Sequence, residues 1–354
     1  LVKAKKEKLG GSLIERLQRA GSGNITSTLA SDSAFNVQAD TVATTVPIIN
    51  VAFSGKLNGG FVPGLTILAG ESRTFKTLLS LLLLKSYLDK FSDGIGIIYD
   101  IERGITKEYL DMVGVDSDRV LLLRDIIHIE ELKFDMVKRL EEIEKGDHVF
   151  FLVDSLGIIA SNKEIEDAIE EKSVTDMTRA KSLRSYLRVV SPYFLSKEIP
   201  CVMINHVYQT LENYSKTVVG GGTAIMYIAN QVLIVTRAQE TEGEGKDKEL
   251  LGYKFTLHIE KSRFVREKAK LAFTVLFDGG IDETSGLLEE AKEFGLIEGG
   301  GGGWYTYNGN KYRSSQFTKE FWKPILANEE FQTFVENKYK LSGNYDDKED
   351  SSES

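Results

Sequence analysis

Residues 70–77 read GESRTFKT. They have the length and ends of a phosphate-binding loop, G-x-x-x-x-G-K-[ST], with Phe75 where the penultimate glycine belongs. The flanks decide the fold. LTILAG before the loop is strand-like and KTLLSLLLLKSYL after it is helix-like, so the loop joins a strand to a helix. A turn in that place offers the backbone N–H groups of Gly70, Glu71, Ser72, Arg73, Thr74 and Phe75, and a helix N-terminus, to an anion. Lys76 would neutralise the β- and γ-phosphates of ATP, and the Thr77 hydroxyl would ligate Mg²⁺. A chance surface turn would share this spacing, and Phe75 breaks the pattern, so the motif alone leaves both readings open.

Working outward, short apolar runs recur along the chain: TILAG (66–70), IGIIYD (95–100), RVLLLRD (119–125), HVFFLVDS (148–155), PCVMINH (200–206) and QVLIVTRA (231–238). Their continuity predicts strands buried on both faces, as in a mostly parallel sheet covered by helices. That is an α/β pattern. Helices are predicted over 77–90 and over 129–146, where Leu132, Met136, Leu140 and Ile143 share one face ahead of Gly146. GYKFTLHIEKSR and KLAFTVLFDGG predict a late antiparallel edge pair, preceded by a polar loop at 240–249.

Two of these strands end in acid. HVFFLVDS delivers Asp154 to a strand tip, where a carboxylate beside a phosphate loop serves the outer shell of a Mg²⁺–nucleotide. IIYDIERGIT delivers Asp100 and Glu102 to another, and a carboxylate there could orient the water that attacks a γ-phosphate. A solvated loop charge would look the same from spacing alone.

Bulk numbers bound the class. With 354 residues, 42% apolar and 27% charged, the chain has the make-up of a globular protein with one large core and appendages. No apolar run approaches the roughly 20 residues needed to span a bilayer, so no membrane segment is expected. Cys201 is the only cysteine, which rules out an internal disulfide and a multi-cysteine zinc cage. The basic N-terminal stretch lacks the apolar core of a secretory signal, and the chain opens on leucine, as a trimmed chain would. The net charge of −9 argues against a uniformly basic protein but leaves local basic surfaces open. Part of the acid lies in DDKEDSSES at the C-terminus, which reads as a disordered tail.

Taken with their order, these stretches carry a family likeness. GESRTFKT, GVDSDRV, VDSLG, TDMTRAK, PYFLSKEIPCVMINH, SKTVVGGGT, IEKSR and FDGGID resemble the RecA-type recombinases, and within them the UvsX recombinases of T-even-type phages, over about residues 45–340. The resemblance implies a RecA-like P-loop ATPase core at 46–282, preceded by a helix and polymerisation arm at 1–45. A small α+β C-terminal domain at 283–342 and the acidic tail at 343–354 follow. By the same resemblance, Glu102 activates the attacking water. Thr106 and Tyr109 border the adenine, His206 senses the γ-phosphate, and Lys261 and Arg263 reach the ATP of a neighbouring subunit.

Two further segments resemble the family's DNA-binding loops. One spans 161–188 and presents Arg179, Lys181, Arg184 and Arg188. The other spans 207–224 and contains Gly220, Gly221, Gly222 and Thr223. Backbone amides and cations of this kind hold a single strand by its phosphates without reading its sequence. A solvated helix face would look similar for the arginines.

The resemblance therefore implies an ATP- and Mg²⁺-dependent enzyme that assembles a helical filament on single-stranded DNA and exchanges it into homologous duplex. A phage recombination mediator and a single-strand-binding protein are the expected partners. The cytoplasm of the infected bacterial host is the expected compartment. Two rivals are a RecA-fold hexameric helicase and a filament protein that uses ATP only as a binding switch.

Overall fold

The computed structural model describes residues 41–172, 178–210, 217–242, 249–299 and 301–341. Expectations for the N-terminal helix and arm, and for the acidic tail, lie outside them. So do the stretches 173–177, within the first DNA-loop candidate, and 211–216, within the second.

Strands β1 (Gly64–Gly70), β2 (Ile95–Asp100), β3 (Val120–Leu123), β4 (Val149–Asp154) and β5 (Pro200–Asn205) alternate with helices. A small antiparallel ribbon of β6 (Val207–Gln209) and β7 (Thr217–Val219) follows, then β8 (Gln231–Glu242), β9 (Glu249–Ser262), β10 (Lys270–Leu276) and β11 (Gly280–Ile281). Among the described residues these build a nine-stranded sheet in the order β11-β10-β9-β8-β1-β5-β4-β2-β3. From β8 to β3 the neighbours are parallel, and β9 to β11 add to β8 in antiparallel fashion.

Side-chain alternation along the central strands explains their unbroken apolar runs. Phe150 and Leu152 turn to one face, where they meet Leu68, the leucines of the helix Lys76–Lys90 and Phe53 of the helix Pro47–Ser54. Phe151 and Val153 turn to the other, among Leu132, Met136 and Leu140 of the helix Ile129–Glu142 and Leu183 and Leu187 of the helix Thr178–Ser196. Strands β1, β4 and β5 are covered on both faces along their whole length, which favours apolar side chains at nearly every position.

Several boundaries differ from expectation. The helix predicted to run to Gly146 ends at Glu142; Ile143 is already extended, although its side chain stays buried. The antiparallel pair is not at the edge, because β11 closes that side. Strands β8 and β9 also reach into the expected polar loop, to Glu242 and from Glu249. Residues 41–45 pack with the main body rather than with an arm. Val42 and Val46 are buried there, and Thr44 bonds to the Asn50 side chain.

At the C-terminal end, β12 (Glu298–Gly299), β13 (Trp304–Tyr307) and β14 (Asn310–Arg313) form a three-stranded sheet that includes the expected hairpin. Leu287, Ala291, Trp322, Ile325, Phe331 and Val335 join the same apolar cluster as Phe53 and Phe255. The segment therefore shares its core with the main sheet. Among the described residues no helix is long and apolar enough to cross a membrane.

Candidate nucleotide and DNA site

Parallel strands bring their carboxyl ends to one edge of the sheet, where open α/β folds place their ligands. Asp100 and Asp154 are direct partners across β2 and β4, and Ala69 lies opposite Asn205 across β1 and β5. The loop after β1, the turn after β2, the end of β4 and His206 after β5 therefore meet. They line a cavity of about 340 Å³ with Lys76, Thr77, Glu102, Tyr109, Asp154 and His206 on its walls.

The loop folds as a phosphate cradle despite Phe75. Both Arg73 (φ 62°) and Phe75 (φ 61°) adopt the left-handed conformation, the geometry for which a glycine is normally kept. Phe75 lines the cavity, and its ring packs 4.6 Å, centroid to centroid, from Phe255 of β9. Phe255 in turn stacks on Phe273 and touches Tyr253. Lys76 is buried and folds back over the loop, donating to the carbonyls of Gly70 (3.1 Å) and Glu71 (2.6 Å) and to Thr74 Oγ1 (3.2 Å). Burial pulls its ammonium below the ordinary lysine range, against the charges of Glu102, Asp154 and Glu71. An arriving phosphate would give this desolvated cation the counter-charge that carbonyls only partly supply.

Across the cavity the Thr77 hydroxyl donates to Asp154 Oδ2 at 2.7 Å. Burial is the main reason the Asp154 carboxyl is pushed up to about 6. The Thr77 bond and Lys76 pull it down, while Glu102 and Asp100 push it further up. A hydroxyl beside a carboxylate that is costly to leave uncompensated is a donor set suited to a hard divalent cation. Among the described residues no cluster of three or more metal-ligating side chains exists, so further ligands would come from nucleotide and water.

Asp100 is structural. Fully buried, it accepts from the N–H groups of Gly104 and Ile105 and pairs with Arg124 Nε at 3.0 Å. These bonds shape the turn that presents Glu102. Glu102 accepts a short hydrogen bond from the Ser155 hydroxyl and lies 3.4 Å from His206 Nε2. Thr106 uses its hydroxyl to cap the helix Lys107–Val113. Tyr109 faces the cavity, where burial and then the Asp154 charge raise its phenol. Of the two adenine-side candidates only Tyr109 lines the cavity.

Sequence reading missed two neighbours. Ser155 gave no signal beyond its place after Asp154. Arg237, on the wall of the same cavity with its guanidinium 4.5 Å above the Tyr253 ring, lies where β8 turns from buried to exposed. That switch from apolar run to cation was visible in QVLIVTRA.

Lys261 and Arg263 do not reach this cavity. Lys261 Nζ donates to the carbonyls of Met226, Tyr227 (3.3 Å) and Ala229 (2.8 Å), at the C-terminal end of the helix Thr223–Ile228. Its ammonium is lowered by burial and by the Arg263 charge. Arg263 is exposed.

The DNA-side candidates divide likewise. Lys181, Arg184 and Arg188 are exposed along one face of the helix Thr178–Ser196. Arg179 is turned inward. Its guanidinium donates to the carbonyls of Leu156 (2.8 Å), Gly157 (3.0 Å) and Ile159 (2.9 Å), so the expectation of a counter-charge for DNA does not fit the geometry. Gly220 is tied to the end of β5: its N–H donates to the His206 carbonyl at 2.9 Å, and its carbonyl accepts from Asn205 Nδ2 at 2.6 Å. Gly221 and Gly222 take positive φ (90° and 73°), and the exposed Thr223 opens the next helix. The glycine turn thus begins one residue pair away from the nucleotide edge.

A P-loop, an acidic strand tip and a second acidic turn at the carboxyl edge of a mostly parallel sheet define a nucleotide-binding P-loop protein. The family model for the RecA N-terminal domain matches residues 11–282, and the chain belongs to the RecA family. It is 42% identical over 342 residues to the recombination and repair protein of Enterobacteria phage T4, covering 93% of this chain and 86% of that one. It is 26% identical over 305 residues to RecA of Streptomyces rimosus (83% and 76% covered) and 25% over 244 residues to RecA of Frankia casuarinae (67% and 67%). The chain is a recombinase of this family and a DNA-dependent ATPase. Nucleotide binding, DNA binding and filament assembly come with that membership.

Proposed function

We propose that the chain binds ATP with Mg²⁺ in the P-loop cavity and uses it to order a helical filament on single-stranded DNA. The filament then pairs with homologous duplex and exchanges strands. The observation that carries this reading is the meeting of Lys76, the Thr77–Asp154 pair and Glu102 around one cavity. Lys76 holds the β- and γ-phosphates, aided by loop amides between Gly70 and Thr77. Thr77 and Asp154 would hold the Mg²⁺, which neutralises phosphate charge when bound. Glu102, steadied by Ser155, orients water in line with the γ-phosphate and takes its proton. Tyr109 covers the base. His206 sits against Glu102 and at the foot of the β6–β7 ribbon, a place from which it would pass the state of the γ-phosphate to the glycine turn.

In this reading residues 1–40 act as the assembly arm, the core runs to 282, and Lys181, Arg184, Arg188 and the amides of Gly220 to Thr223 hold DNA phosphates. A phage mediator and a single-strand-binding protein are the proposed partners, and the host cytoplasm the proposed site of action. Strand exchange between circular single-stranded and homologous linear duplex DNA tests it. Joint molecules should form only with homology and ATP. Homology-independent unwinding would instead indicate a helicase. Glu102→Gln should lower DNA-stimulated hydrolysis by about a hundredfold or more. A parental rate would remove Glu102 from its role.

A further inference from the structure

The turn that follows Asp154 is held between two side chains. On one side, Arg179, the second residue of the helix Thr178–Ser196, donates to three of its carbonyls: Leu156, Gly157 and Ile159. On the other side lies the His206 ring. A Cβ added to Gly157 would sit 2.1 Å from His206 Cδ2, so the ring rests directly on the Gly157 backbone. His206 Nε2 then lies 3.4 Å from Glu102 Oε1, and the Ser155 hydroxyl at the head of the same turn donates to that carboxylate. Arg179, the turn, His206 and Glu102 form one contiguous chain of contacts.

The geometry points to Arg179 as a positioning residue for ATP hydrolysis: its guanidinium fixes the 156–159 turn, and through that turn the placement of His206 against Glu102. The inference rests on the reading of Glu102 as the water-orienting group. Chemistry favours an arginine for this task. Its planar fork presents donors in a fixed spread, so it holds three carbonyls at once where a lysine would hold fewer. The outward face of the same helix carries Lys181, Arg184 and Arg188. DNA held on that face and the catalytic pair are therefore joined through the helix's first turn, which is how DNA would raise the rate.

The test uses the full chain, ATP and a fluorescent oligothymidylate, with Arg179→Gln and Arg179→Lys. Hydrolysis at saturating DNA should fall about tenfold to a hundredfold for the glutamine variant and less for lysine, as displacement of a reacting group predicts. Oligothymidylate affinity and its salt slope should match the parent. Combined with His206→Gln, the losses should be less than additive, because both act on one contact. A parental rate at saturating DNA, with a salt slope shallower by about 0.7, would make Arg179 a phosphate contact and overturn the inference. Full additivity with His206→Gln would overturn it too, as would a rate loss that disappears when the assay is cooled, since either would mark a purely structural arginine. Glu102→Gln is run alongside. Hydrolysis by that variant at the parental rate sinks the underlying reading of Glu102, whatever Arg179 does.

Discussion

Phe75 holds a left-handed backbone, φ 61°, that disfavours any residue with a Cβ by about 1–2 kcal/mol. Its ring against Phe255 offsets this, since an aromatic pair contributes about 0.5–1.5 kcal/mol beyond the area it buries. The loop therefore exchanges glycine's freedom for an anchor on β9. Two substitutions separate these terms. Phe75→Ala loses the ring and keeps the strain, whereas Phe75→Gly loses both. Alanine should be the less stable by about 1 kcal/mol in thermal or urea unfolding. Equal stability would mean that the backbone is not strained here.

Asp154 carries the opposite trade. Its folded pKa of about 6 lies above the 3.8 of the free side chain, so the protonated form is the one folding favours. That contribution is complete below about pH 3.8 and is lost as pH rises through about 6; at pH 7 the buried carboxylate costs about 3 kcal/mol. Asp154→Asn should therefore raise the Tm of the nucleotide-free protein in EDTA at pH 7–8, with the advantage fading by pH 4, while hydrolysis with Mg²⁺ collapses. A Tm difference that does not change with pH would contradict the assignment.

At the scale of elements, strands were easier to read than contacts between them. The central strands were legible because burial on both faces favours unbroken apolar runs, as in VFFLVD. The end of the helix Ile129–Glu142 was not, since Ile143 keeps both the helical spacing and the burial while its backbone has already turned extended. Periodicity reports which side chains are inside, not which dihedrals carry them there. The site divided the same way. The acids of the nucleotide edge could be found because they end or closely follow legible strands, and the lysine because it opens the helix after one. The inward turn of Arg179 and the capping of the helix Thr223–Ile228 by Lys261 could not, because their partner carbonyls lie far away in sequence. A cation at a helix C-terminus is favoured by the unsatisfied carbonyls there. In this chain that helix follows directly from the glycine turn.

The whole molecule poses a choice for Lys261. As a cap it acts within its own chain; as a cation for the next subunit's ATP it must leave those carbonyls. Arg263, exposed one residue beyond β9, has no hydrogen-bond commitment of that kind among the described residues. A head-to-tail filament would allow the two roles to be told apart by mixing subunits, if its interface joins one subunit's P-loop to another's β9 as proposed. Glu102→Gln and Arg263→Ala chains should each be nearly inactive alone. In an equal mixture, about a quarter of the interfaces would pair an intact Glu102 with an intact Arg263 and recover hydrolysis, provided the arginine acts across the interface. The same mixture made with Lys261→Ala should recover as much if the lysine also acts in trans. It should recover little if the cap is its main duty, because the damaged helix stays in the very subunit that supplies Glu102. Recovery with neither variant, measured as ATP hydrolysed on saturating single-stranded DNA, would place both cations in their own subunit's chemistry and remove the interface from the reaction.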